Sequence, residues 1–286
     1  MNTETFFKQF ELLADAPNGI AKLRELILQL AVQGKLVPQN PDDEPAAVLL
    51  ERIKAEKERL VKEGKIKKSK KLPDINQDEI PFELPDSWKW ERLENVCLYI
   101  QRGKSPRYVD KSDICVVSQK CVQWDGFDIK KARFIEPSTL DKYVEERFLR
   151  ENDILWNSTG RGTIGRVCIY KKPNNSLYRK AVADSHVTII RCLHLKSEFV
   201  LNWLSSDCVQ SKIDDISSGS TKQTELNTST VKSHLIPLPP LAEQHRIIAK
   251  VNQLMTYCDE LEAKLTQSLN DKEKLMDTAV YQLLTA

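Results

Sequence analysis

The run IPLPPLAEQHRIIAKVNQLMTYCDELEAKL, Ile236 to Leu265, constrains the fold more than any other part of the chain. Pro239 and Pro240 end a strand at Ile236, Pro240 suits a first helical turn, and Glu243 puts negative charge at the positive end of a helix dipole. Beyond it Ile247, Val251, Leu254, Cys258, Leu261 and Leu265 step by four, three, four, three and four, which is an a/d seam. Ser268 and Lys272 interrupt the seam, and Leu275 and Ala279 resume it. A helix of about 40 residues reaches roughly 60 Å. A single apolar seam of that length has to be covered by a partner helix, from the chain's own N-terminal segment or from another chain.

The N-terminal segment reads as helical. Leu23, Leu26, Ile27, Leu30 and Ala31 repeat at three-four spacing, and Gly34 can stop that helix before the break QNPDDEP. A second helix is expected over Ala46 to Glu63. It is dominated by charge, with Arg52–Glu56 and Lys54–Glu58 as opposite pairs one turn apart, and reads as a solvated surface helix. Five lysines then fall between Lys65 and Lys71, followed by Pro73, Pro81 and Pro85. Like charges and prolines resist a packed core, so this stretch is expected to be a solvated tether or extended arm whose lysines could meet phosphates.

From Trp88 to Ile236 the pattern turns strand-like. CVVSQKCV, ARFI, DILWNS, RVCIY and HVTIIRCL are short runs rich in Val, Ile and aromatics, separated by Gly, Pro, Asn and Asp. One helix is expected around Ser197 to Ile216, with Phe199, Val200, Trp203, Leu204, Val209 and Ile213 as its apolar stripe. The fold class is therefore α+β: one α/β domain with a largely antiparallel, irregular sheet, a helical N-terminal segment and a long C-terminal helix. The expected boundaries are 1–83, 84–238 and 239–286.

Residues 157–166, NSTGRGTIGR, carry a literal G-x-G-x-x-G at Gly160, Gly162 and Gly165. A dinucleotide loop needs a strand before it and a helix after it, so that free helical N–H groups face the pyrophosphate. DILWNS supplies the strand, but RVCIYKKPNN reads as a second strand. A hairpin whose glycines provide positive φ is the expectation, and Asp184 in the polar stretch VADSH does not restore the nucleotide reading.

No catalytic constellation takes its place. His186, His194, His234 and His245 share no ligand-type spacing; no G-x-x-x-x-G-K-[ST] or H-E-x-x-H occurs. The Pro-Pro pair is flanked by Leu238 and Leu241, which removes it as the catalytic motif of an amino-directed DNA methyltransferase. Seven cysteines without C-x-x-C spacing suit scattered, reduced, mostly buried thiols. No basic leader opens the chain and no window approaches the roughly eighteen apolar residues of a membrane span, so a soluble cytoplasmic protein is expected. A net charge of +2 argues against a protein that coats nucleic acid generally and against an acidic DNA mimic. An anionic partner has to be met by local patches.

Four stretches together resemble the specificity subunit of type I restriction-modification systems. GSTKQTELNTSTVKSHLIPLPPLAEQHRIIAKV, Gly219 to Val251, is similar to the family's exit from a target recognition domain into its spacer helix. LPDSWKWERLENVCLYIQRGKSP, Leu84 to Pro106, is similar to the domain's opening, and ENDILWNSTGRGTIGRVCIY to its strand, glycine turn and strand. Leu23 to Leu60 resembles a helix-turn segment common in these subunits.

The resemblance implies a non-catalytic chain, without cofactor or metal of its own, that addresses double-stranded DNA. Methyltransferase subunits using S-adenosylmethionine and an ATP-driven restriction subunit would supply the chemistry. Family members usually carry two recognition domains and two spacer helices, whereas one of each is legible here. That implies a half-length form, dimerising through Ile247, Val251, Leu254, Cys258, Leu261 and Leu265, whose symmetric homodimer reads a palindromic bipartite site. The alternatives are a solitary DNA methyltransferase, which lacks its motifs here, and a coiled-coil adaptor without DNA binding, which leaves the strand-rich domain unexplained.

Base readers are polar loop residues near positive charge: Arg and Lys suit guanine, Asn and Gln suit adenine, and phosphates take Lys, Ser, Thr and backbone N–H. The candidates are Arg102, Lys104, Ser105 and Arg107, then Gln119, Lys120 and Gln123, then Asn157, Thr159 and Arg161 in the glycine turn, and Ser220, Thr221, Lys222 and Gln223. Trp124 could stack or wedge, but half-buried packing is the expectation for it.

Overall fold

A computed structural model describes residue 16 and residues 18–172, 179–216 and 225–285. Two helices, Gly19–Val32 (α1) and Ala46–Lys62 (α2), precede the strands Lys89–Arg92 (β1), Cys97–Arg102 (β2), Tyr108–Val109 (β3), Ile114–Val117 (β4), Val122–Gln123 (β5) and Gly126–Phe127 (β6). Arg133–Ile135 (β7), Ile154–Asn157 (β8), Val167–Ile169 (β9), Lys180–Ala183 (β10), Val187–Cys192 (β11) and Leu235–Leu238 (β12) complete the sheets. The remaining α-helices are Leu93–Val96 (α3), Ser197–Ser205 (α4), Asp207–Gln210 (α5), Ile213–Ile216 (α6), Thr228–Ser233 (α7) and Leu241–Thr285 (α8).

The central sheet, β2-β11-β8-β9, is antiparallel throughout; the second, β10-β4-β7-β3, has one parallel pair, β10 on β4. Strand alternation sorts the side chains into layers. Ile154 and Trp156 of β8, Val167 of β9 and Ile190 of β11 pack with Leu49 and Ile53 of α2, Val200, Trp203 and Leu204 of α4 and Val231 of α7. Leu155, Cys168, Val187 and Ile189 pack with Cys115, Val117, Ala181 and Ala183 of the second sheet. β1 pairs antiparallel with β12, Lys89 opposite Leu238, and so brings the two ends of the domain together.

Three expectations need correcting. The charged helix α2 is docked: Ala46, Leu49 and Ile53 are buried, and Lys57 Nζ donates to the carbonyls of Glu94 (2.5 Å) and Cys97 (2.9 Å). Its ion pairs also differ, because Arg52 reaches back to Glu44 (2.6 Å) and Arg59 takes both Glu56 and Glu63. The apolar stripe over Ser197 to Ile216 is three short helices: Ser206 is extended (φ −71°, ψ 155°) and its hydroxyl donates to Trp203 O at 2.7 Å, competing with helix continuation. The lysine- and proline-rich arm is pinned. The Arg92 guanidinium donates to the carbonyls of Pro73 (2.9 Å) and Ser233 (2.8 Å) and pairs with Glu79 (3.0 Å), fixing the arm to the β1–β12 closure.

The first half of α8 lies antiparallel to α1. Ile247, Val251 and Cys258 are buried in one cluster with Ile27, Ala31, Trp88 and Phe199, and Arg24 pairs with Asp259 (2.7 Å) and Glu262 (2.9 Å). Pro240 sits just outside the helix, its carbonyl accepting from Gln244 N (2.9 Å). Glu243 is a junction as well as a first-turn charge: only 1% exposed, it accepts from Trp88 Nε1 (2.8 Å) and Gln39 Nε2 (2.5 Å). Burial pushes its carboxyl above the ordinary value, and these hydrogen bonds oppose the shift. From Glu262 onward every described residue of α8 except Leu265 is exposed.

His234 joins the aromatic core, its ring 5.7 Å from that of Trp156 and 6.2 Å from that of Trp203, with Nε2 buried and unpartnered. Burial lowers its pKa from 6.5 to about 4. The unfolded chain therefore binds a proton at His234 that the folded chain refuses, so stability falls as pH drops from about 6.5 towards 4. Thermal melts should show this decline, and His234→Phe should flatten it.

Candidate nucleic-acid interface

The strands deliver the candidate residues to one end of the central sheet. β2 ends at Arg102 opposite Thr188, and β8 ends at Asn157 opposite Val187. The parallel β4 and β10 end together at Val117 and Ala183. The segments that leave these ends, residues 102–107, 118–124, 157–166 and 184–186, form one rim. The long helix starts from the opposite end, where Lys196 N, beyond β11, donates to Gln244 Oε1 (3.0 Å).

Hydrogen bonds run through the rim without a break. Arg102 donates to Ser185 O and pairs with Glu225, and Ser105 Oγ lies 3.0 Å from Ser185 Oγ. His186 Nδ1 meets Thr159 Oγ1 at 2.5 Å, and Thr159 bridges to Glu225. Thr163 Oγ1 donates to Gln119 Oε1 (3.2 Å), while Asn157 Nδ2 donates to Gln119 O (3.1 Å). Arg166 donates to Gln123 Oε1 (2.9 Å) and to Gly162 O (3.0 Å).

The glycine segment is the hairpin its sequence suggested. β8 pairs antiparallel with β9, and Gly160, Gly162 and Gly165 take φ of 105°, 74° and 87°. No helix leaves the turn, so no helix N-terminus is aimed at a pyrophosphate. A Cβ on Gly160 would overlap Gln119 Oε1 and Thr163 Oγ1, so this glycine also makes room for the glutamine.

The candidates fall into two groups. Asn157 is fully buried, with Oδ1 unpartnered, and holds the hairpin to the turn at Gln119. Arg102 is engaged by Ser185 and Glu225. These two brace the rim, and Thr159 is tied back to His186. Lys120 and Arg161 are exposed, and Gln119 and Gln123 are half-buried at the surface. Lys104, Ser105 and Arg107 line a cleft of ≈ 590 Å³ with Glu136, Thr139 and Tyr143; Arg107 pairs with Glu136 (3.2 Å), and Lys104 Nζ lies 5.8 Å from the Tyr143 ring centre. Ser220, Thr221, Lys222 and Gln223 lie outside the described residues.

Sequence reasoning missed Ser185, His186, Arg166 and Glu225. The β10–β11 turn is visible as VADSH, but nothing local in that stretch shows that its polar residues meet the glycine hairpin. Asp184 is buried and accepts from His186 N (2.8 Å), and burial pushes its carboxyl above the ordinary value. The thiols of Cys115 and Cys168 are pushed up to about 12 and that of Cys121 to about 11 by burial, which makes them packing groups. Among the described residues no helix is long and apolar enough to cross a membrane.

Residues 85–271 match the family model described as type I restriction modification DNA specificity domain. The chain is 36% identical over 268 residues to the type I restriction enzyme EcoAI specificity subunit of Escherichia coli, covering 91% of this chain and 44% of that one. It is likewise 36% identical over 265 residues to the EcoEI specificity subunit of Escherichia coli, covering 93% and 44%. The chain thus spans less than half the length of these relatives. A solved structure described as the basis of complex assembly and conformational transition of the type I R-M system matches with TM-score 0.53 at 19% identity, over 80% of this chain and 54% of that one, and shares the fold.

Proposed function

The chain belongs to the type I restriction-modification DNA specificity family, and from that premise we propose that it selects the DNA sequence at which partner subunits act. One observation carries the reading: segments far apart in sequence, chosen for their base- and phosphate-reading chemistry, are hydrogen-bonded into a single rim. That rim would enter the major groove of double-stranded DNA. Methyltransferase subunits holding S-adenosylmethionine would modify adenine there, and a restriction subunit would use ATP; the chain itself is read as non-catalytic and cytoplasmic.

The domain boundaries proposed are 1–83, 84–238 and 239–286. One copy presents one reading rim, so two copies would read a bipartite site. Ile247, Val251, Leu254 and Cys258 already pack in the cluster shared with α1, and the candidate surface for a second copy is the remainder of the seam, Leu261 and Leu265, continued by the exposed Leu269, Leu275, Met276 and Val280. At 45 residues α8 is roughly 68 Å long, room to hold two rims one to two DNA turns apart at about 34 Å per turn.

Mapping methylated adenines in cells that carry this chain and its methyltransferase subunits tests the proposal. A palindromic two-part motif is expected. An asymmetric motif would require a different second half, and no motif at all would refute the reading. Removing α8 after Glu262 should leave the domain folded and abolish self-association in sedimentation.

The roles within the rim are separable. Lys104→Ala with Arg107→Ala should weaken binding to every duplex alike, with the log–log salt slope falling by about 0.9 for each phosphate that is no longer neutralised. Gln119→Ala should instead relax preference at one base pair, by about 1–3 kcal/mol. Competition binding at two salt concentrations separates the two.

A further inference from the structure

Val122–Gln123 and Gly126–Phe127 pair with Gln123 opposite Gly126, which leaves Trp124 and Asp125 as the whole turn. Neither residue takes a positive φ, which falls instead on Gly126 (φ 130°), so no backbone demand of the turn calls for a tryptophan. Trp124 is 57% exposed, against the half-buried packing expected of it. The other four tryptophans are occupied: Trp88, Trp156 and Trp203 are buried, and Trp90 stacks edge-on with Phe82 and Trp203.

An exposed aromatic is ordinary on a protein surface. This one is distinguished by its mount. Val122 is buried, Phe127 packs edge-on to Tyr170 at 5.1 Å, and Asp128 N donates to Cys121 O (2.9 Å). Gln123 accepts from Arg166 of the glycine hairpin and donates to Lys120 O (2.7 Å), tying the turn to the rim. A bulky side chain carried on so fixed a base meets a partner with little ordering cost left to offset.

Asp125, also exposed, indicates what the turn faces. A carboxylate set against phosphates would be repelled, whereas the major-groove edge of cytosine offers an amino donor to an acid. Beside it a tryptophan face suits the methyl of thymine. Lys120 and Arg161, exposed on the flanks, suit the backbone phosphates on either side.

We propose that the Trp124–Asp125 turn is a base-reading element of the rim, with Trp124 against a thymine methyl and Asp125 accepting from a cytosine amino group. The proposal rests on the reading of the chain as a DNA specificity subunit.

The test uses the full chain with its methyltransferase subunits and maps adenine methylation for wild type, Trp124→Ala and Asp125→Ala. Trp124→Ala should admit other bases at one position where wild type requires thymine, with preference there falling roughly fivefold or more, the effect of removing one base-edge interaction. Asp125→Ala should relax a neighbouring cytosine in the same way. Motifs and site-by-site methylation matching wild type in both variants would overturn the proposal. So would uniform loss at every site with no position relaxed, which marks a scaffolding role. A wild-type chain that directs no methylation would instead bring down the reading beneath it, and the proposal with it.

Discussion

Asp153→Ala should lower the unfolding free energy by about 3–5 kcal/mol, a large part of the roughly 5–15 kcal/mol that holds a typical domain folded. The Asp153 side chain is 1% exposed and accepts two bonds from Arg191, Nε and Nη2 each at 2.7 Å, and a third from Arg150 N at 2.8 Å. Arg191 also donates to Phe148 O (2.9 Å), so the pair ties β11 to the chain entering β8. Removing the carboxylate leaves a guanidinium buried without its counter-charge. Most of the cost lies in that stranded charge, so Asp153→Ala combined with Arg191→Met should cost less than Asp153→Ala alone. Urea titrations of the two variants check this; a double variant worse than the single would show that the pair contributes chiefly through its packing.

Gly103→Ala should lower site preference roughly tenfold or more while the remainder of the chain stays folded. A Cβ at this position would overlap the carbonyl oxygens of Ala183 and Asp184, both backbone atoms that cannot swing aside. The chain lies flat here because Gly103 N donates to Val187 O (3.0 Å) and Lys104 N to Ala183 O (3.2 Å). The extra methyl has to lift residues 102–107 off the β10–β11 turn, parting Ser105 from Ser185. Overpacking of this kind costs about 1–3 kcal/mol in stability. An equal loss at the interface corresponds to roughly tenfold or more in preference for the target over random duplex, the quantity to measure.

The long helix, the glycine hairpin and the strands around Ile154, Val167 and Val187 were legible because each rests on local rules: heptad spacing, turn chemistry and β-branched runs. What escaped depends on contacts between distant residues. Leu49 and Ile53 look like two apolar residues in a charged helix until the sheet that receives them is known. Ser206 breaks a regular apolar stripe through one hydroxyl, and Arg92 pins an arm whose own sequence suggests freedom. In the rim the chemistry of the candidate readers was visible and their exposure was not. Asn157 matches an adenine reader by type, yet it is buried, whereas Trp124 matches a core residue by type and stands in solvent.

The rim and the base of α8 occupy opposite ends of β11, whose six residues span roughly 20 Å. On the proposed reading, target choice and assembly are therefore separately mutable. Rim segments exchanged wholesale between related chains should transplant a preference and leave every bond of the helix junction, from Gln39 and Trp88 to Glu243, as it was. On that reading, new addresses would arise without any proposed partner having to change with them.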